Sequence, residues 1–223
     1  EWPVTAPLIV LTYQAICNVN TDSDELDERA LDLWRGARQA AADLPSDEAG
    51  VYRPSGDGRF PVLVFRTPYG KHVAARSDGI HEKAVARGYA VVMQDVRGRY
   101  ASEGRFDPYR QEGTDGYDTI EWAAAQPWSD GRIGTYGLSY PGAVQWLAAL
   151  EAPPHLVAMA PAMTFSSPRR FFYMNGIFHR SWLPWIFENI APDARRRLGM
   201  PDGKDAEATW PAIAGDYQSW LPL

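Results

Sequence analysis

A single cysteine, Cys17, in 223 residues leaves no partner for an internal disulfide and no second thiol for a Cys-based metal site. Lysine and arginine number 22 against 28 acidic residues, a net charge of −6 that withholds the basic face nucleic-acid binding requires. No apolar run approaches the roughly 18 to 20 residues needed to cross a membrane. Residues 4–16 are apolar in part, but no basic segment precedes them and Thr12, Tyr13 and Gln14 interrupt the run. A signal peptide is therefore not expected, and a cytoplasmic location is. There is no HExxH, no phosphate-binding glycine loop, no internal repeat and no low-complexity tract. The acidic run DSDELDE places Leu26 where a calcium loop needs a ligand and lacks the required glycine, so it reads as a helix N-terminus. No metal and no cofactor are expected.

What the chain does have is a serine in an unusual setting. Residues 131–150 read GRIGTYGLSYPGAVQWLAAL. A short apolar run from Ile133 to Tyr136 enters a Gly-Leu-Ser-Tyr-Pro-Gly turn, and a helical pattern with Ala143, Leu147 and Leu150 on one face leaves it. A strand, a tight turn carrying Ser139 and a helix make the geometry of a nucleophile elbow. Gly137 and Gly142 lack a Cβ, so strand and helix can approach while the serine sits at the apex. The helix would aim N–H groups and the positive end of its dipole at a developing oxyanion.

Around this turn the pattern alternates. Asp22 to Leu44 carries Leu26, Ala30, Leu33 and Ala37 at helical spacing and is followed by Pro45, which predicts an amphipathic helix. Pro61 to Phe65 is almost wholly apolar, as a strand buried on both faces must be, and runs into the loop Arg66-Thr-Pro-Tyr-Gly-Lys71. A helix over 79–87, a strand over 89–95, an Arg- and Gly-rich loop to Gly104 and a helix over 115–126 follow. The elbow, its helix to Glu151 and a strand from Leu156 to Pro161 complete the alternation. Such spacing predicts a mostly parallel α/β sheet, whose active sites lie beyond the carboxyl ends of the strands. Tyr69, the loop after Asp95, and Ser139 all fall there. Asp95 is expected to hold the Arg97/Arg99 loop through charge-assisted hydrogen bonds. Residues 168–198 are rich in aromatics and predict helices and loops that cap the sheet rather than extend it.

RTPYGK at 66–71, QDVRGRYASEG at 94–104 and DGYDTIEWAAAQPWSDGRIGTYGLSYPG at 115–142 occur in the order and spacing of one family. The sequence resembles the cocaine esterase and X-prolyl dipeptidyl-peptidase family of α/β-hydrolase serine enzymes. The resemblance implies the α/β-hydrolase fold, mostly parallel with helices on both faces. It divides the chain into an N-terminal extension at 1–49, a core at 50–163 and the beginning of a helical cap at 164–223. It implies that Ser139 is the nucleophile, that the N–H of Tyr140 is one oxyanion donor and that the Tyr69 phenol is the other. Phe172 and Tyr173 become candidate walls of the acyl pocket. The Arg-Asp-Gly turn that usually opens the family's first hairpin has no clear match in residues 1–49.

The family's triad aspartate and histidine come after the cap, beyond the residues present. His155 and His179 follow Ser139, but neither occupies the family position, and structural or surface roles are expected for both. Two readings result. In the first, the chain is the N-terminal part of a hydrolase of small-molecule esters or amides, with a second chain or a missing C-terminal half supplying Asp and His. In the second, it is a shortened, non-catalytic binding module that keeps the fold.

Overall fold

A computed structural model of the chain describes residues 9–10, 50–165 and 167–199. The expected helix over 22–44 lies outside the described residues. Two compact units, 1–166 and 167–223, are described in turn.

The first unit is organised by a six-stranded sheet in the order β1 (Ile9–Val10), β6 (Leu156–Ala162), β5 (Ser129–Leu138), β3 (Phe60–Thr67), β4 (Ala90–Asp95), β2 (Gly50–Tyr52). Every neighbouring pair is parallel except β2 on β4, an antiparallel edge. The central strands alternate their side chains between two cores, which is the period of a pleated strand. Val62 and Val64 of β3, with Ile133 of β5, face Ile120, Ala123 and Ala124 of α3 (Glu112–Ala124) and Ala148 of α4 (Tyr140–Leu150). Leu63 and Phe65, with Tyr136, face Ala75 of α1 (Lys71–Asp78) and Ile80, Ala84 and Val85 of α2 (Ile80–Val85). Helices on both faces explain why PVLVF reads as continuous apolar sequence. Each fully buried valine here contributes about 1.5 to 3 kcal/mol relative to exposure.

The differences from expectation have local causes. Lys71 to Asp78 is helical where only a loop was expected to begin. Among its described side chains Lys71, Ala74 and Ala75 are buried or partly buried, while His72 and Val73 are exposed, so it carries no apolar stripe to read. Helix α3 starts at Glu112, three residues early, because its first turn buries Glu112 in a polar network rather than an apolar contact.

The second unit contains α5 (Pro168–Phe172), a two-stranded hairpin of β7 (Tyr173–Met174) and β8 (Ile177–Phe178), α6 (Trp182–Pro184), a π-helical turn over Trp185–Ile190 and α7 (Ala191–Arg197). The hairpin corrects the expectation of helices and loops alone; Gly176 at φ 85° and Asn175 at φ 52° turn it. Phe172 packs against Phe171, Trp182 and Trp185 at centroid distances of 5.5, 5.3 and 5.8 Å, and Tyr173 lies edge-on to Phe178 at 5.6 Å.

Candidate active site at the carboxyl ends of the strands

Ser139 joins β5 to α4 with φ 65° and ψ −119°. That conformation is sparsely populated for an L-residue and costs about 1 to 3 kcal/mol, so the surroundings must enforce it. Two glycines make room for it. A Cβ on Gly137, itself at φ 146°, would lie 2.4 Å from the Cβ of Pro141. A Cβ on Gly142 would lie 2.8 Å from the Thr164 Cβ and 2.9 Å from the Ala162 carbonyl. The turn is then tied into the sheet: the Ser139 N–H donates to the Ala162 carbonyl at 2.9 Å, and the Ser139 carbonyl accepts from Gly142 and Ala143, both at 3.0 Å. Pro141 supplies no N–H, and its fixed φ suits the first turn of a helix.

Tyr140, the next residue, is 1% exposed. Its ring stacks on Tyr109 at 4.3 Å, meets Phe106 at 6.3 Å and lies edge-on to Tyr69 at 6.4 Å. Tyr69 and Tyr140, distant in sequence, are thus brought together because β3 and β5 are parallel neighbours that end side by side. The Tyr140 hydroxyl donates to Glu112 Oε1 at 2.7 Å and accepts the Tyr109 N–H at 3.3 Å. Burial first, and then the charge of Glu112, push the Tyr140 hydroxyl far above the ordinary phenol value. Burial does the same at Tyr109. Both remain neutral at any working pH.

Behind Tyr140 stands a buried charge network that the sequence reading missed. Arg66 pairs with Glu112 Oε2 at 3.1 Å, donates to the Glu112 carbonyl at 3.0 Å and to Gln94 Oε1 at 2.8 Å. Thr119 also donates to Gln94. Burial raises the Glu112 carboxyl above its ordinary value, opposed by Arg66 and the Tyr140 hydroxyl. Such a network stays in place because each charged or polar member has a partner. No sequence spacing signals it, since Arg66 and Glu112 meet across 46 positions.

The loop carrying Tyr69 is anchored in the same manner. Thr67 Oγ1 accepts the Tyr69 N–H at 3.1 Å, Arg99 Nε donates to the Pro68 carbonyl at 2.9 Å, and Asp95 Oδ1 accepts the Lys71 N–H at 2.7 Å. Asp95 holds the loop that follows it, as expected, and holds the Tyr69 loop as well. Its carboxylate serves the backbone N–H groups of Lys71 and Ala101, while Arg97 forms a bidentate pair with Asp115. The reason is geometric: Asp95 points to the loop after β3, its parallel neighbour.

His155 sits at the opposite end of the sheet. Its carbonyl accepts from Ile133 at the start of the apolar stretch of β5, and its Nδ1 lies 2.7 Å from Glu121 Oε2. Six residues of strand separate that end from Ser139, about 20 Å. His179 belongs to the second unit, where its Nδ1 meets Ser181 Oγ. Phe172 and Tyr173 are also in the second unit, the former partly buried among aromatics and the latter half-exposed. Among the described residues, no group of three or more His, Cys, Asp or Glu could hold a metal ion, and no helix is long and apolar enough to cross a membrane.

Residues 48–219 match the family described as X-Pro dipeptidyl-peptidase (S15 family). A cocaine esterase from Rhodococcus sp. (strain MB1 Bresler) is 46% identical over 116 residues, which make up 51% of this chain and 20% of that protein. A CocE/NonD family hydrolase from Staphylococcus aureus superposes with a TM-score of 0.56 at 33% identity, over 64% of this chain and 30% of its own. An α-amino-acid ester hydrolase gives the same TM-score at 26% identity, over 64% of this chain and 27% of its own. The fold is that of the α/β-hydrolases. The chain spans between a fifth and a third of the length of these relatives.

Proposed function

We propose, for a chain that belongs to the X-Pro dipeptidyl-peptidase (S15) family, that it is the nucleophile-bearing part of a serine hydrolase of small-molecule esters or amides. The observation that carries this reading is the conformation of Ser139, held at φ 65° between two glycines whose Cβ atoms would clash. A serine is placed there at a cost in backbone strain, and exposing a hydroxyl at the apex of a turn is the return on that cost.

In this reading Ser139 Oγ attacks the acyl carbonyl while a base takes its proton. The carbonyl oxygen becomes an oxyanion, held by the Tyr140 N–H and the Tyr69 hydroxyl. The tetrahedral intermediate collapses, the leaving alcohol or amine receives the proton, and water then releases the acid from the acyl-serine. A phenol suits this task because it donates without needing a charge, and removing one such donor costs about 100- to 1,000-fold in turnover. In the same reading a C-terminal half or a second chain supplies the base and its orienting carboxylate, and His155, engaged with Glu121 at the far end of β5, has a structural role. Phe172 and Tyr173 are assigned to the acyl group; alanine at either is expected to change the preference among acyl chain lengths more than the reactivity of Ser139.

A fluorophosphonate probe on the intact protein tests the reading. Labelling that Ser139→Ala abolishes is the expected result. Absence of Ser139-dependent labelling would overturn it in favour of a non-catalytic binding module.

A further inference from the structure

Gln145, on the second turn of α4, is 3% exposed among largely apolar neighbours. A buried primary amide is unfavourable unless its donors and acceptor are matched. Here they are matched by backbone groups on both sides of Ser139. Nε2 donates to the Pro141 carbonyl at 2.9 Å and to the Gly137 carbonyl at 3.3 Å. Oε1 accepts the Ala160 N–H and the Thr135 hydroxyl, each at 3.1 Å. Gly137 stands two residues before the serine and Pro141 two residues after it. One amide therefore ties the strand arm of the turn to its helix arm, and ties both to β6, whose Ala162 carbonyl receives the Ser139 N–H.

We propose that Gln145 is the positioning residue of the elbow, bridging the Gly137 and Pro141 carbonyls so that Ser139 is held at positive φ. The proposal rests on the reading of Ser139 as nucleophile. A serine in this conformation gains by relaxing toward the ordinary helical or extended regions, and the glycines remove obstacles without opposing that relaxation. Opposing it takes bonds that are satisfied only when the two arms are in register. The Gln145 amide supplies them, since a shift of either arm strands a buried carbonyl or N–H. A residue needed only to fill space would be apolar at this position, as Val144 and Ala148 are.

The test uses the intact protein with Gln145→Met, which keeps volume and loses the amide, and Gln145→Glu. Gln145→Met is expected to lower the second-order rate of fluorophosphonate labelling by about 10- to 100-fold, the effect of losing two buried donors. Turnover of an activated ester should fall with little change in KM, because the substrate contacts are untouched. Gln145→Glu distinguishes positioning from packing. Its protonated form keeps one donor, whereas its ionised form sets a negative charge against two carbonyl oxygens. Its labelling rate relative to the natural protein should fall at least tenfold as pH rises through the carboxyl's titration, which burial moves above the ordinary carboxylate range. The same ratio for Gln145→Met should be flat. Hydrogen exchange over 137–145 supplies a readout independent of activity, expected to speed up in Gln145→Met while 112–124 is unchanged. Should the natural protein fail to label, the hydrolase reading falls and exchange alone decides the role of Gln145. Labelling and exchange at natural rates in Gln145→Met, or a flat pH ratio in folded Gln145→Glu, would refute the positioning role.

Discussion

Adding one methyl group at Gly142 tests whether close approach of α4 to β6 is what sets Ser139. Gly142 is the third residue of the helix, so the substitution Gly142→Ala introduces no backbone strain of its own. The new Cβ meets the Thr164 Cβ at 2.8 Å, the Ala162 carbonyl oxygen at 2.9 Å and the Thr164 Cγ2 at 3.0 Å. Two of these partners are backbone or branch-point atoms, which cannot swing aside, so helix and strand must separate by several tenths of an ångström. Overpacking of this kind costs about 1 to 3 kcal/mol. Alanine returns as much as about 1 kcal/mol of helix propensity, leaving a net loss of about 0 to 2 kcal/mol. In a domain of this size each lost kcal/mol lowers Tm by about 2 to 4 °C. Reactivity is affected more than stability, because Ala162 O is also the acceptor of the Ser139 N–H. Fluorophosphonate labelling should slow by about tenfold or more, on the scale by which ~1 Å misplacements reduce enzyme rates. Thr164→Gly removes two of the three close contacts, so the double variant should recover part of the rate. Labelling at the natural rate in Gly142→Ala, with Tm unchanged, would refute the close-approach argument.

Three further outcomes are expected. Tyr140→Phe strands Glu112 Oε1 in a buried site and should cost about 1 to 3 kcal/mol, read by urea unfolding; a loss under 0.5 kcal/mol would contradict the network described. Glu112 is raised above its ordinary value of 4.5 chiefly by burial, so the folded state retains a proton that the unfolded chain has released. Its contribution is complete below 4.5 and is lost as pH rises through the folded value; Glu112→Gln should flatten that decline in Tm, and an identical pH profile would disprove it. His155→Ala removes an exposed pair with Glu121 worth at most about 1 kcal/mol and should leave labelling of Ser139 unchanged, whereas a tenfold drop would make His155 the base after all.

Local chemistry explains which parts of the molecule could be read in advance. The strand over 61–65 was legible because burial on both faces demands an unbroken apolar run, and the turn at Ser139 because glycines at 137 and 142 sit within five residues of one another. Helix α1 was not, since Ala74 and Ala75 are the apolar side chains it packs among those described. The polar machinery around the turn escaped for a different reason. Glu112, Arg66, Gln94 and Gln145 look like ordinary surface residues in a linear pattern. They acquire meaning only where β3, β4 and β5 and helices α3 and α4 converge and supply their partners.

The sequence by itself determined the alternating architecture, the serine in its glycine-flanked turn and the family, because periodicity, turn chemistry and motif spacing are properties of short stretches. The tertiary structure alone decided that the Tyr69 and Tyr140 rings meet, that Asp95 holds two loops through the backbone N–H groups of Lys71 and Ala101, and that the His155 imidazole pairs with Glu121. Those are consequences of which strands are neighbours and of which ends they share. Strand order is set by how the whole sheet buries its two faces, and no single stretch of the chain carries that information.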